Sequence, residues 1–76
     1  MTVNVLRIKG ERIAKGISQD QMAKALGISR AAYSKRETGK VPITADELAI
    51  IAGQLGVGKD DIGIFFSVNV PILEQQ

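Results

Sequence analysis

The side chains best suited to chemistry lie between Gln19 and Lys40. Arg30, Ser34 and Lys35 fall within one short stretch, with Gln19 and Ser29 before it and Thr38 and Lys40 after it. These are cations and hydrogen-bond donors, suited to gripping an anionic or acceptor-rich surface rather than to breaking bonds. The 76 residues include no histidine and no cysteine. General acid–base, thiolate and metal chemistry therefore lack their usual parts. Asp60 and Asp61 read more simply as a helix start than as a metal site. We assign no catalytic residue, metal or cofactor, and do not expect an enzyme or a small-molecule ligand.

The elements that must position these donors are two short helices joined by a tight turn. Ser18 is a good N-cap, and Gln21 three residues later completes a capping box. Met22, Ala23 and Leu26 have the spacing that gives a helix one buried face. Gly27 supplies the stop, because glycine reaches positive φ without a Cβ clash. Ile28 packs in the corner and Ser29 caps the next helix. That helix directs Arg30, Ala31, Ser34 and Lys35 outward, with Ala32, Tyr33 and Arg36 forming or flanking its inner side. Two short helices joined by a glycine-containing turn are the helix-turn-helix signature.

The residues Gln19-x-x-x-Ala23-x-x-x-Gly27-Ile28-Ser29-x-x-x-Tyr33-Ser34-x-x-Glu37-x-Gly39 resemble the helix-turn-helix of the Cro and lambda-repressor group of bacterial and phage regulators. The resemblance covers roughly residues 4–66 and leaves out the last ten. It implies an all-α, five-helix, lambda-repressor-like DNA-binding domain over residues 1–66. It also implies base contacts from Arg30, Ala31, Ser34 and Lys35, and a phosphate contact from Gln19. Ser29, Thr38 and Lys40 join Gln19 as candidate phosphate contacts. Arg12 and Glu37 occupy positions that commonly form a structural ion pair between the first and third helices of that group. Arg36 departs from the pattern, standing where the group often has an apolar or aromatic residue.

The donor chemistry fits that expectation. A helix presented at the surface fits the major groove, where the Arg30 fork matches guanine O6 and N7 and Ala31 could touch a thymine methyl. The N-terminus of the second helix, at Gln19, favours a phosphate. Residues 1–40 carry nine basic and three acidic side chains, net +6, whereas residues 41–76 carry one and five, net −4. A basic part beside an acidic remainder is the electrostatic footprint of a small nucleic-acid binder.

Elsewhere, Val5, Ile8 and Ile13, with Leu6, predict a first helix from about Asn4 to Ala14 after a frayed start at residues 1–3. Thr44-x-x-Glu47 is a second capping box and opens a fourth helix over about 45–55, buried through Leu48, Ile51, Ala52 and Leu55. A fifth helix is expected from Lys59 to Ile62 or Phe65. From Ile64 to Leu73 the chain becomes β-branched and aromatic, with Phe66, Val68 and Val70 alternating as in a strand. Residues 67–76 are read as a C-terminal tail or dimerisation strand, giving a homodimer on a pseudo-palindromic double-stranded DNA operator. The absence of cysteine and of an apolar run of about 18 residues leads us to expect a cytoplasmic protein with no membrane span. A phage or prophage repressor, a restriction-modification controller and an antitoxin share this plan. A protein-interaction module on the same scaffold, using the tail and the acidic fourth helix, is the alternative from another class.

Overall fold

Two local rules set the helix starts, and tertiary packing sets the rest. A computed structural model describes residues 2–67. The element order is β1 (Thr2–Val3), α1 (Val5–Ala14), α2 (Gln19–Leu26), α3 (Arg30–Glu37), α4 (Ala45–Gln54), a 3-10 turn (Ile62–Phe65) and β2 (Phe66–Ser67). Each α-helix begins at a side-chain cap, from Asn4, Ser18, Ser29 and Thr44 in turn. Ser18 with Gln21 and Thr44 with Glu47 form reciprocal capping boxes, each satisfying two backbone N–H groups. Gly27, at φ 70°, lets the Ile28 N–H return to the Ala23 carbonyl at 3.0 Å and turns the chain from α2 into α3.

The core contains Ile8, Met22, Ala23, Tyr33, Leu48, Ile51, Ala52, Leu55 and Phe65, with Ile17, Leu26, Ile28, Ile43 and Val57 packed around it. α2 lies against both α3 and α4, and α1 against α3 and the 3-10 turn. Every α-helix therefore contributes at least one buried side chain.

Three expectations are corrected. The fifth element is a single 3-10 turn beginning at Ile62, not an α-helix from Lys59. Gly58 and Gly63 weaken helix on either side of its first residue, and β-branched Ile62 and Ile64 add little helix propensity. Residues 2 and 3 are not frayed: β1 pairs antiparallel with β2, Thr2 opposite Ser67 and Val3 opposite Phe66, and the Asn4 N–H donates to the Phe65 carbonyl at 2.6 Å. Extended structure near the C-terminus is thus a two-residue bridge to β1; the run from Val68 onward lies outside the described residues. In α1, Ile8 and Arg12 turn inward, leaving Leu6 76 % and Ile13 59 % exposed. Arg12 takes the buried position beside Ile8 because the Glu37 carboxylate receives it.

Gly27→Ala tests the turn. A Cβ there meets nothing within 4 Å, so the penalty is conformational only. The expected loss is about 1–2 kcal/mol in a urea melt, with an unchanged helical circular-dichroism spectrum at low denaturant.

Candidate nucleic-acid interface

The seating of α3 rests on one buried ionic cluster. Arg12 and Glu37 are 8 % and 4 % exposed. The Arg12 Nε and Nη2 donate side-on to the two Glu37 oxygens at 2.8 and 2.9 Å, and its Nη1 donates to the Ile17 carbonyl at 2.8 Å. Glu37 also accepts from the Tyr33 hydroxyl at 2.6 Å and from Gln19 Nε2 at 3.1 Å. One carboxylate thus binds residues from α1, α2 and α3. Burial pushes the Glu37 carboxyl up, but the bonds from Arg12, Tyr33 and Gln19 outweigh it and hold it below its ordinary value. Burial first, then the Glu37 bond, drives the Tyr33 phenol well above its ordinary range. Tyr33 is fully buried between helices.

A second ionic contact ties α3 to α4. Arg36 Nε donates to both oxygens of Glu47, at 3.2 and 3.1 Å, and its Nη1 donates to the Ala32 carbonyl at 3.0 Å. Glu47 is also the reciprocal partner in the Thr44 capping box, so one carboxylate orders the start of α4 and grips α3. The Thr44 backbone bond and then Arg36 hold the Glu47 carboxyl below its ordinary value. Sequence reasoning left the role of Arg36 open. The available signal was the capping box, which put an acidic residue eleven positions after an arginine that lacked an apolar role.

With its inner side anchored, α3 exposes Arg30, Ala31 and Lys35, while Ser34 is half-buried. Arg30 leans on α2, its Nε donating to Gln19 Oε1 at 3.5 Å and its Nη1 lying 3.9 Å from Asp20 Oδ2. The half-buried Gln19 therefore bridges Glu37 and Arg30, and one amide hydrogen remains for another acceptor. Ser29 Oγ accepts the Ala32 N–H at 3.1 Å, so its hydroxyl proton stays available. The Thr38 hydroxyl donates to the Ser34 and Lys35 carbonyls at 3.1 and 3.2 Å and must rotate to serve a phosphate. Gly39, at φ 82°, turns the chain so that the Lys40 N–H reaches the Lys35 carbonyl at 2.9 Å, which fixes the base of the Lys40 side chain. Among the described residues, Lys35 and Lys40 form no ion pair, whereas Arg7 and Lys15 both bind Glu11.

Other features lack comparable polar convergence. An open groove of about 410 Å³, lined by Val3, Val5, Gly39, Val41, Pro42 and Ile43, is apolar. Among the described residues, no three His, Cys, Asp or Glu side chains are placed to hold a metal. No described helix is long and apolar enough to cross a membrane.

An anchored helix, a glycine turn and a second helix with an outward cationic face define a helix-turn-helix protein, and the helix-turn-helix family model matches residues 8–62. The chain belongs to that family. It is 43 % identical over 54 residues to the SPbeta prophage-derived uncharacterized HTH-type transcriptional regulator YonR of Bacillus subtilis (strain 168). That match covers 71 % of this chain and 50 % of the relative, so the chain spans about half the length of the curated relative. No solved structure matches.

The cluster makes stability pH-dependent with a definite sign. Glu37 has a lowered folded-state pKa, so its contribution is fully present above its ordinary value of 4.5 and is lost as pH falls through the lower folded value. Glu37→Gln leaves Arg12 buried without a counter-charge. It is expected to cost about 3–5 kcal/mol at pH 7 and to flatten the loss of stability below pH 4.5, read from urea melts across pH.

Proposed function

We propose that the protein is a sequence-specific double-stranded DNA-binding transcriptional regulator, a Cro-like repressor of phage or prophage type. In this reading α3 enters the major groove of each half of a pseudo-palindromic operator, and the protein acts as a homodimer with half-sites about 34 Å apart. The observation that carries it is the outward face of α3, with Arg30, Ala31 and Lys35 exposed on a helix held from behind by Glu37 and Tyr33.

Arg30 supplies the fork for guanine, Ala31 a contact for a thymine methyl, Ser34 a donor or acceptor, and Lys35 a longer-range cation. Gln19, Ser29, Thr38 and Lys40 set the register on the phosphates without reading sequence. The relative's printed description as a prophage-derived HTH-type transcriptional regulator supports the same reading. The segment from 67 onward is the proposed dimerisation element, and analytical ultracentrifugation of the full chain reports the dimer.

The direct test is DNA binding at several salt concentrations, comparing duplex DNA flanking the protein's own gene with a scrambled control. The flanking site is expected to win by ~10³ or more. Arg30→Ala is expected to remove about 1–3 kcal/mol of that preference while leaving most phosphate-driven affinity in place. Equal, steeply salt-dependent binding to both duplexes would leave only phosphate attraction. No binding at low salt would sink the proposal.

A further inference from the structure

The contacts of Arg30 point to a residue outside the proposed contact set. We propose that Asp20 is a specificity-determining residue, which acts by positioning Arg30 for a base edge and against a phosphate. This rests on the DNA-binding reading above.

Arg30 approaches α2 at two points, one a hydrogen bond and one a charge contact. Its Nε faces Gln19 Oε1 at 3.5 Å, and its Nη1 faces Asp20 Oδ2 at 3.9 Å. The Gln19 amide is fixed in orientation because its nitrogen is bound to Glu37 at 3.1 Å, so oxygen is the atom presented to Arg30. A guanidinium has five N–H donors in a rigid fork. Only Nε donates to α2, and the approach of Nη1 to Asp20 is a charge contact too long for a hydrogen bond, so the hydrogens of Nη1 and Nη2 stay free. One forward-facing hydrogen from each Nη forms the end of the fork, the pair that meets guanine O6 and N7.

The two DNA modes then differ in what they ask of Asp20. End-on contact with guanine leaves the α2 side of the guanidinium in place, so Asp20 keeps its counter-charge. Swinging Arg30 onto a phosphate, the contact available on any sequence, abandons Asp20 and leaves its carboxylate facing the DNA backbone unneutralised. Asp20 and Arg30 are both largely solvent-exposed, so the pair itself adds little to folding. Its effect falls on the difference between the two modes, and that difference is specificity. The basic surplus of residues 1–40 supplies non-specific attraction, and Asp20 restrains the cation whose fork reads a guanine.

The experiment uses the full chain, the duplex that the wild-type protein enriches from a randomised duplex library, and a scrambled version of it. Asp20→Asn is expected to raise affinity for the scrambled duplex about fivefold and for the enriched duplex less than about twofold. The salt slope on the scrambled duplex should steepen by about one. In an Arg30→Ala background, Asp20→Asn should leave the ratio between duplexes unchanged. Equal gains on both duplexes would show only removal of a negative charge and would overturn the role of Asp20, leaving the DNA-binding reading intact. A ratio that falls as much without Arg30 would overturn it too. A wild-type protein that enriches no duplex would overturn this inference and the DNA-binding reading together.

Discussion

The Glu37 carboxylate is the constraint on which the rest of this structure depends. It lies at the C-terminal end of α3, yet it receives hydrogen bonds from α1 through Arg12, from α2 through Gln19 and from its own helix through Tyr33. Desolvating a charge is costly, and it is tolerable here because four donors from three side chains, Arg12, Gln19 and Tyr33, saturate both carboxylate oxygens. Such a cluster adds less to net stability than its contacts suggest. What it does is geometric: apolar packing of small helices admits several sliding arrangements, whereas a side-on arginine–carboxylate pair admits few.

Arg36 and Glu47 extend the same logic to the other side of α3. The helix is eight residues long, too short to hold its shape in isolation. Its order therefore comes from what it touches: Tyr33 in the core, Glu37 toward α1 and α2, Arg36 toward α4. Three anchors on its inner side hold α3 in place, and on its outward face only Arg30 reaches back to α2.

What could be read in advance was whatever depends on neighbours three or four residues apart. The capping boxes at Ser18 and Thr44, the turn at Gly27 and the phase that buries Tyr33 while exposing Arg30 and Lys35 all follow from local chemistry. The pairing of β1 with β2 did not follow, because a two-residue strand carries no period of its own and its partner lies more than sixty positions away. The exposure of Leu6 and Ile13 was not legible for a related reason. Hydropathy ranks them above Arg12, and only the tertiary position of Glu37 reverses that ranking. The engagement of Gln19 with both Glu37 and Arg30 was equally invisible, since it needs all three helices in place.

The β1–β2 bridge has a mechanical consequence. Thr2 and Ser67 sit side by side at one end of an antiparallel pair, with Val3 and Phe66 behind them and the Asn4–Phe65 bond behind those. A force that draws residues 2 and 67 apart therefore opens these contacts one after another, as a zipper opens, rather than loading them together in shear. The helices and the Glu37 cluster feel no load until the last of them has parted. The bridge thus acts as a soft fuse between any tether at the ends of this domain and the rigid body that presents α3.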